Sequence, residues 1–335
     1  MKPPAVAVAV LNFNGKHHLK DCLDSLGQQS YGNYSVYVID NGSTDASVDF
    51  VKKEFPWVRI IAFDRNYGFA EAYNRAIEML QFDFVALLNN DVAVDSGWLE
   101  KLVEEILKDE NIAACGSKIL LHWDRSKLNH AGGKFTPIGG GYDIGLYRND
   151  AEEYNRGGYV GCVCGAAMIV RTDAFVRIGG FDRDFFAYFE DVDFCWRAWL
   201  YGFKVVYVPS SRVYHKFGGS WGSVYGGYRI YLGERNRLLT AFKNFEAARL
   251  LRAMILSIVY VSVRFVGALR RRRVDNVSSL LRADLWLLLN LRRVLAKRAV
   301  VQVRKEVSNE ALERLGFIAT FAEAFREFRR FKGFE

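Results

Sequence analysis

The first third of the chain alternates apolar runs with segments of helical periodicity. AVAVAVLNF (5–13) is almost continuously apolar, which indicates a parallel strand covered on both faces. Apolar residues then recur at helical spacing at Leu19, Cys22, Leu23 and Leu26. Further strands are predicted in YSVYVID (34–40), VRIIAF (58–63) and DFVALLN (83–89), with a helix in GFAEAYNRAIEML (68–80). This order predicts an α/β fold with a doubly wound, mostly parallel sheet.

The pattern changes between residues 122 and 165, where glycines gather among aromatic residues. A long mobile loop or small hairpins are expected there. Strand and helix return in AAMIVRTDAFVRIGGF, followed by a helix in YFEDVDFCWRAWLYGF and a strand in KVVYVP. Beyond residue 230 the chain becomes helical and rich in leucine and arginine. We therefore predict two parts, 1–235 and a helical extension over 236–335.

Charge is concentrated in this extension. The chain carries a formal net charge of +8, and lysine and arginine crowd its last third, including the run Arg270–Arg273. Such a tail suits an anionic membrane surface or a nucleic acid, the simpler alternative being a solvated basic face. The longest apolar run, residues 253–263, stops at Arg264. It is shorter than the roughly 18 apolar residues of a spanning helix, so we expect it to be buried or interfacial.

The cysteines and the N-terminus suggest a compartment. The chain has five cysteines and no CxxC pair, and Cys162 and Cys164 flank one residue without a matching second pair. This spacing argues against a zinc site and favours reduced thiols in a cytosolic protein. The first residues, MKPPAVAVAVLNFN, do not have the layout of a signal peptide.

Polar residues follow four consecutive predicted strands. In open α/β sheets, ligands bind beyond the carboxyl ends of the strands. One such residue alone would ordinarily be a turn residue or a helix cap, but four strands ending this way indicate one shared crevice. These residues are Asn12 and Asn14; Asp40, Asn41 and Ser43; Asp64 and Asn66; and Asn89, Asn90 and Asp91.

Seven motifs stand in a fixed order along residues 5–222: VLNFNG, VIDNGSTD, NYGFAEAYN, LLNNDV, GCVCGAAMIVR, GGFDRDFFAYFEDVDFCWRAWLYGF and VYHKFGGS. In this order they resemble the family-2 inverting glycosyltransferases of GT-A fold, and LLNNDV is similar to the rhamnosyltransferase-like branch. The resemblance implies a catalytic domain over 1–235, with a nucleotide-sugar part at about 1–121 and an acceptor part at about 122–235. It also implies a UDP- or dTDP-sugar donor, dTDP-rhamnose among the candidates, and a hydroxyl of a glycan or lipid-linked glycan as acceptor.

The resemblance further implies which residues contact the donor. Asp40 would accept the imide N–H of uracil or thymine, and Gly68 would permit close backbone contact with the diphosphate. Asn89 stands where the family usually has a carboxylate, and it would contact ribose or a metal-bound water. The expected nucleotide-sugar residues are Asn12, Asn14, Asp40, Asn66, Gly68, Asn74, Asn89 and Asn90.

A divalent cation is expected at the end of the fourth predicted strand. The departing nucleotide diphosphate develops negative charge, which a bound cation stabilises. Oxygen ligands suit Mn²⁺ or Mg²⁺. By resemblance, Asp91 is the direct ligand, and His215 completes the metal shell.

The general base is expected in FEDVDF. Inverting transfer is a single displacement in which a base removes a proton from the attacking hydroxyl. The resemblance assigns this role to Asp191, with Glu190 holding the acceptor or the base. Asp193 is interpreted as structural, a partner of Arg197. The alternative is an ordinary acidic helix N-terminus, which the helix dipole favours.

Similar tails accompany lipid-linked acceptors, so we expect the extension to dock peripherally on an anionic membrane at its cytoplasmic face. The alternative is a helical subdomain that packs on the core or on a second copy, which leaves a homodimer open. No nucleic-acid partner is expected.

Three other functions are weighed against this one. A sugar-phosphate nucleotidyltransferase or an NAD-dependent dehydrogenase is disfavoured because NFNGKHHLKD, after the first strand, has one glycine and no GxG. The runner-up is a non-catalytic membrane-surface adaptor that retains a glycosyltransferase fold. Asp91, Asp191 and His215 are all present, which opposes that reading.

Overall fold

A computed structural model describes residues 3–216, 226–270, 272 and 274–330. Within them the strands are β1 (Val6–Asn12), β2 (Tyr34–Asp40), β3 (Arg59–Ala62), β4 (Phe84–Asn89), β5 (Val92–Val94), β6 (Ile112–Leu121), β7 (Leu128–His130), β8 (Gly133–Phe135), β9 (Gly141–Asp143), β10 (Gly158–Tyr159), β11 (Ala167–Arg171) and β12 (Lys204–His215). The helices are α1 (Lys16–Leu26), α2 (Ser47–Glu54), α3 (Gly68–Leu80), α4 (Trp98–Ile106), α5 (Thr172–Ile178), α6 (Glu190–Leu200), α7 (Gly227–Asn244), α8 (Ala247–Arg270), α9 (Val274–Leu289), α10 (Leu291–Arg304), α11 (Asn309–Arg314) and α12 (Phe321–Arg330).

The long strands of the main sheet run mostly in one direction. The order across the sheet is β10-β12-β6-β11-β4-β1-β2-β3. β3, β2, β1 and β4 pair in parallel, and β12 pairs in parallel with β6. Because β11 lies between β4 and β6 and is antiparallel to both, β6 and β12 point the same way as β1 to β4. The predicted α/β fold with a mostly parallel sheet is confirmed, and the carboxyl ends of these strands lie on one side of the molecule.

Strand β1 builds the core on both faces of the sheet. Val6, Val8 and Val10 belong to the core cluster that contains residues of α1 and α4, whereas Ala7 and Ala9 belong to the cluster with residues of α3 and α6. Successive side chains of a strand point to opposite faces, so the sequence VAVAV supplies both layers. Burying each valine side chain contributes roughly 1.5–3 kcal/mol relative to leaving it in water.

The segment 122–165 folds as short strands rather than one long loop. β8 and β9 form a hairpin whose turn contains Gly139 with φ +81°. A Cβ on Gly139 would lie 2.4 Å from the Cβ of Ala241 in α7, so the close approach of the turn to this helix requires glycine. The Gly133 N–H donates to the Cys162 carbonyl at 2.8 Å, which joins this hairpin to the segment that precedes β11.

Helix α7 links the sheet to the C-terminal helices. It contains residue 235, near which we placed a domain boundary, and that division remains a prediction. Lys243 of α7 lies 2.7 Å from an oxygen of Asp182 and 2.9 Å from an oxygen of Asp193. Lys297 of α10 also pairs with Asp182. The C-terminal helices are therefore tied by ion pairs to the loop that precedes α6.

Helix α8 exposes most of its apolar residues. Over Ala247–Ala268 it is, among the described residues, the one helix long and apolar enough to cross a membrane by length and composition. The sequence predicts no spanning helix because its longest uninterrupted apolar run stops at Arg264. The helix itself continues through Arg264. Arg264 packs over the ring of Tyr260 and lies 3.5 Å from Glu234 of α7. In the basic run, Arg271 and Arg273 lie outside the described residues, and Arg270 and Arg272 are exposed.

Candidate active site

A cleft of about 400 Å³ opens at the carboxyl ends of the parallel strands. Residues of the predicted nucleotide-sugar part and of the predicted acceptor part both line it, among them residues from β4 and from the start of α6. Eight of the twelve predicted site residues line this cleft, which makes it the candidate active site: Asn66, Gly68, Asn89, Asn90, Asp91, Glu190, Asp191 and His215. The other four, Asn12, Asn14, Asp40 and Asn74, do not.

A buried hydrogen-bond network joins three strand ends beneath the cleft. The Nδ2 of Asn12 donates to Asp40 Oδ1 at 3.2 Å and to Ser43 Oγ at 3.1 Å. Its Oδ1 accepts from Asn90 Nδ2 at 2.7 Å. The Ser43 N–H donates to the other Asp40 oxygen at 3.0 Å. Asn12 and Asp40 thus hold the ends of β1, β2 and β4 together, and their predicted contacts with the base remain predictions.

Asn14 and Asn74 also bond within the protein. Asn14, at φ +50°, is exposed, and its Oδ1 accepts from the Thr44 N–H at 2.7 Å. Both polar atoms of the Asn74 amide bond to the backbone of Phe181, at 2.8 and 2.9 Å. Asn74 therefore ties α3 to the loop before Asp182, and a donor contact for either asparagine stays a prediction.

Asn41 shapes the part of the cleft that follows β2 and β3. It is buried, and its Nδ2 donates to Asn66 Oδ1 at 3.0 Å and to the Gly68 carbonyl at 3.1 Å. Gly68 has φ +77°, and a Cβ there would lie 2.5 Å from the carbonyl oxygen of Phe186. Glycine at this position is therefore required by the close approach of the loop before α6. Asn41 follows β2, as the strand-end pattern predicts, but its role as a link to Asn66 and Gly68 depends on contacts that the pattern does not specify.

Asp91 and His215 meet at the edge of the cleft. His215 ends β12, which pairs with β5 immediately after Asp91, and the His215 Nε2 lies 3.3 Å from Asp91 Oδ1. The opposite ring nitrogen, Nδ1, lies 2.7 Å from the amide oxygen of Asn129. That oxygen accepts the Nδ1 proton, so in the neutral ring the Nε2 lone pair faces the carboxylate. Two such electron-pair donors fit a bound cation between them.

Asp91 and His215 are two candidate metal ligands. Among the residues that the structure describes, no group of three or more His, Cys, Asp or Glu side chains is placed to hold a metal ion. Asn89, two residues before Asp91, also lines the cleft, and its neutral amide oxygen would be the third ligand of a bound cation. The residues present therefore fit a divalent ion held by one carboxylate, one imidazole and one amide. Asn129, which orients His215, was not predicted, because 86 residues separate the two.

Glu190 and Asp191 begin helix α6 and line the same cleft. Asp191 Oδ2 accepts the Gly165 N–H at 2.8 Å, and its Oδ1 accepts the Val192 N–H at 2.8 Å. Burial raises the pKa of Asp191, although the Gly165 N–H opposes the shift. Burial, with the neighbouring Asp191 charge, raises the pKa of Glu190 well above its ordinary value. A carboxylate kept only for the helix dipole would stay exposed with a low pKa, so these shifts favour a functional pair.

The turn that leads into Glu190 is strained and is held by α7. Phe186, Tyr188 and Phe189 have φ values of +61°, +71° and +68°, a region that costs roughly 1–2 kcal/mol for each non-glycine residue. The Nδ2 of the buried Asn236 lies 2.8 Å from the carbonyl of Ala187 and 2.7 Å from that of Tyr188. The position of both acids therefore depends on a residue beyond 235.

Arg235 and the ion pairs of α6 support the same turn. Arg235 donates to the Phe185 carbonyl at 2.8 Å and to Asn236 Oδ1 at 2.9 Å, which directs the Asn236 amide nitrogen at the turn. Asp193 pairs with Arg197 at 2.8 Å, as predicted. Burial opposes ionisation of Asp193, but Arg197 and Lys243 prevail and hold its pKa below its ordinary value. The dipeptide Arg235–Asn236, at the predicted domain boundary, is the sequence signal for this support.

Comparison with known proteins gives the following matches. The model of a family described as glycosyl transferase family 2 matches residues 7–179. The N-acetylglucosaminyl-diphospho-decaprenol L-rhamnosyltransferase of Mycobacterium tuberculosis is 31% identical over 235 residues, which cover 63% of this chain and 75% of that protein. The poly-beta-1,6-N-acetyl-D-glucosamine synthase of Staphylococcus aureus is 24% identical over 270 residues, which cover 76% and 62%.

Solved structures share the fold at lower identity. GalNAc-T7 with UDP, GalNAc and Mn²⁺ has a TM-score of 0.58 and 17% identity, over 72% of this chain and 48% of that chain. The mannosyltransferase PcManGT from Pyrobaculum calidifontis, with GDP-Man and Mn²⁺, has a TM-score of 0.54 and 15% identity, over 86% and 88%. This chain thus spans about half the length of the first structure and most of the second.

Proposed function

This chain belongs to glycosyl transferase family 2 and is a glycosyltransferase of GT-A fold, and on that premise we propose that it transfers a sugar with inversion from a nucleotide-diphosphate sugar to a hydroxyl of a glycan or lipid-linked glycan. The observation that carries this proposal is the arrangement of one cleft. A half-buried, hydrogen-bonded Asp191 and the Asp91–His215 pair line this one cleft. A base and an anion-stabilising site in one cleft suit a single displacement between acceptor and leaving group.

The donor is proposed to be a UDP- or dTDP-sugar, with dTDP-rhamnose the first to test. The rhamnosyltransferase relative at 31% identity supports that choice of sugar. Asp40 supports a pyrimidine base with an imide N–H, because each of its oxygens accepts one internal bond and retains a second lone pair. Recognition by Asp40 requires the base to reach below the cleft floor, beside Ser43.

In the proposed reaction, Asp191 removes the proton of the acceptor hydroxyl as its oxygen attacks the anomeric carbon. The bond from that carbon to the diphosphate oxygen breaks on the opposite face, which inverts the configuration. The N–H of Gly165 fixes one Asp191 oxygen at 2.8 Å and so orients the carboxylate. The raised pKa makes Asp191 a stronger base than an exposed aspartate, and it reduces the thermodynamic barrier to taking a proton.

Asp91, His215 and Asn89 are proposed to hold a Mn²⁺ or Mg²⁺ ion. When bound, such an ion neutralises charge on the departing diphosphate. Asn129 keeps the Nε2 lone pair of His215 directed at the site. The Asn12–Asn90 bond anchors the neighbouring backbone, which keeps Asn89 and Asp91 at the cleft edge.

The test is product analysis with the chain of residues 1–335. The protein is incubated with dTDP-rhamnose or UDP-N-acetylglucosamine, Mn²⁺ and a short-chain N-acetylglucosaminyl-diphospholipid, and the anomeric configuration of the product is read by NMR. Asp191→Asn should lower turnover about 10²- to 10⁴-fold without weakening donor binding, because an amide does not accept the proton. Asp173→Asn, at the exposed first turn of α5, is the matched control. A retained anomeric configuration, or near-normal turnover by Asp191→Asn, contradicts the proposed mechanism.

We also propose that α8 and α9 dock the enzyme on the cytoplasmic face of an anionic membrane. The exposed apolar residues of α8 recur at helical spacing: Leu251, Ile255, Ile258, Val259, Val263 and Val266. Exposed Arg252, Arg270 and Arg282 lie on the same two helices. All five cysteines are free, which suits a reducing compartment. An amphipathic surface with basic residues binds anionic lipid through apolar burial and charge attraction.

The proposal is that α8 lies on the membrane rather than crossing it. Its 24 residues would span roughly 36 Å, so length alone permits either arrangement. However, Arg264 pairs with the buried Glu234 of α7, and Ser257 accepts from Arg237 of the same helix at 2.9 Å. Crossing would break these contacts and leave Glu234 with fewer partners.

Liposome co-sedimentation of the full chain tests the docking. A chain ending near 235 is unsuitable because it would lose Asn236 and Lys243, which support the catalytic turn. Ile258→Asp should reduce binding to phosphatidylglycerol vesicles, and Met79→Asp, an equally exposed apolar site on α3, should not. Binding should weaken as salt rises. Equal sedimentation of both variants, or a dimer that buries α8, would refute docking. Vesicle binding without sugar transfer would favour the alternative function, a non-catalytic membrane-surface adaptor.

A further inference from the structure

A second polar pair lines the cleft apart from the residues discussed so far. His130 ends β7 and Asp143 ends β9. Both lie in the segment 122–165, for which the sequence predicts a loop or small hairpins. The His130 Nδ1 lies 2.6 Å from Asp143 Oδ1, and both side chains line the cleft. His130 is 2% exposed, whereas the Asp143 side chain is 39% exposed.

The far side of the His130 ring is a buried acceptor without a donor. An ionised Asp143 accepts the Nδ1 proton, which leaves a lone pair on Nε2 in the neutral ring. Among the described residues, the Nε2 of His130 has no hydrogen-bond partner. Leaving a buried polar atom unsatisfied is unfavourable, so a ligand that donates a hydrogen bond here would recover stability.

The pair lies on the wall that carries the proposed base. A Cβ on Gly141, two residues before Asp143, would lie 2.9 Å from a methyl carbon of Val192, the residue after Asp191. The hairpin that contains β9 is bonded through Gly133 to Cys162, in the same segment as Gly165. Burial is the main cause of the raised pKa of Asp191, and Asp143 raises it further while His130 lowers it. Asp143 and His130 therefore interact electrostatically with Asp191.

The donor side of the cleft is formed by other elements. Asn41 and Asn66 follow β2 and β3, which lie at the other end of the sheet from β6, the strand that pairs with β7. A donor diphosphate, being anionic, would also be repelled by Asp143 and Asp191. A neutral sugar bearing hydroxyl groups suits this wall, because a hydroxyl donates to Nε2 and places a neighbouring hydroxyl near Asp191.

We propose that His130, oriented by Asp143, determines acceptor specificity by accepting a hydrogen bond from a hydroxyl of the acceptor sugar beside the one that attacks. The inference rests on the proposed glycosyl transfer and adds the residue that selects and positions the acceptor. His130 is a binding residue in this scheme, and Asp191 remains the base.

The experiment measures acceptor and donor kinetics separately, with the short-chain N-acetylglucosaminyl-diphospholipid as acceptor. His130→Ala should raise the acceptor KM about 10-fold, the effect of one hydrogen bond, and leave the donor KM and the acceptor-free hydrolysis of donor unchanged. His130→Gln, whose amide oxygen can accept the same bond, should recover part of the loss. His17→Ala, at an exposed histidine of α1, is the control.

Two further measurements make the assignment specific. With monodeoxy acceptors, wild type should penalise the loss of one particular hydroxyl about 10-fold, and His130→Ala should be indifferent to it. Asp143→Asn, at a more exposed side chain, should act like His130→Ala, because an amide that donates to Nδ1 leaves Nε2 protonated. This second variant keeps the test valid if His130→Ala does not fold.

The outcomes separate this inference from the function on which it rests. Wild type without any transfer overturns both. Transfer by wild type with an unchanged acceptor KM in both His130→Ala and Asp143→Asn overturns only the role of His130. A fall in kcat at constant acceptor KM, with loss of the acidic limb of the pH profile, would make His130 the base and also overturn its role as a binding residue. A raised donor KM would move His130 to the donor side.

Discussion

Asn236 allows the strongest test of how the helical extension supports the active site. The side chain is fully buried, and its Nδ2 contacts three carbonyl oxygens, those of Phe185, Ala187 and Tyr188, at 3.0, 2.8 and 2.7 Å. Arg235 also donates to the Phe185 carbonyl at 2.8 Å, so that carbonyl keeps a donor without Asn236. Asn236→Ala therefore removes the donor from two carbonyls in a buried turn.

The magnitude follows from these two bonds. Each lost bond to a buried carbonyl costs about 1–2 kcal/mol, so the free energy of unfolding should fall by roughly 2–4 kcal/mol if the turn stays in place. The turn contains three residues with positive φ, which store roughly 1–2 kcal/mol each. If the turn relaxes, part of that strain is released and the stability loss shrinks. Glu190 and Asp191 then move, and turnover falls.

Both quantities are measurable on the same samples. Urea unfolding followed by tryptophan fluorescence gives the free energy of unfolding, and the product assay gives turnover. Asn236→Asp keeps the shape but turns oxygen atoms toward the carbonyls, so its stability loss should equal or exceed that of Asn236→Ala. Asn33→Ala, which removes one exposed amide bond to the Pro3 carbonyl, should change the free energy by less than about 1 kcal/mol. Wild-type stability together with wild-type turnover in Asn236→Ala would refute the reasoning.

Three further predictions concern charge. Glu190→Gln should raise the free energy of unfolding at pH 8 but not near pH 4, with both measured in EDTA. The folded pKa of Glu190 lies above its ordinary 4.5, so wild type loses stability as the pH rises from 4.5 through the folded pKa. An equal gain at both pH values would contradict this prediction. Lys243→Met, which leaves Asp193 with one ion-pair partner fewer, should cost about 3–5 kcal/mol, whereas the exposed Lys20→Met should cost less than about 1 kcal/mol, both by urea unfolding. Asp91→Ala should abolish the Mn²⁺-dependent part of UDP or dTDP binding in calorimetry and His215→Ala should weaken it, and unchanged Mn²⁺ dependence would remove them from the proposed shell.

Local patterns predicted the elements that build the site. The order of strands and helices over residues 5–89 was read correctly because apolar periodicity depends on which face each element buries, a property of neighbouring residues. The end of β4 could be placed at the cleft because parallel strands bring their carboxyl ends to one edge. Glu190 and Asp191 were found through the resemblance of FEDVDF to a family motif, which is also a short local stretch of sequence.

The partners of those residues depended on contacts between distant segments. Asn12 and Asp40 follow strands as predicted, yet they bond to each other rather than line the cleft, a choice set by the packing of three strand ends. Periodicity showed that α8 has an apolar face, but it could not show that this face stays exposed, because that depends on where α7 and α9 lie.

The sequence alone determined the α/β order, the strand ends and the acids, since each is encoded within about ten consecutive residues. Tertiary structure decided which hydrogen bonds position the site: Asn129 bonds to His215, Asn236 to the turn before Glu190, and His130 to Asp143. These pairs are separated by 86, 48 and 13 residues, and no local pattern specifies which donor a folded chain brings to which acceptor. Their geometry exists only once the sheet, the hairpins and α7 have packed together.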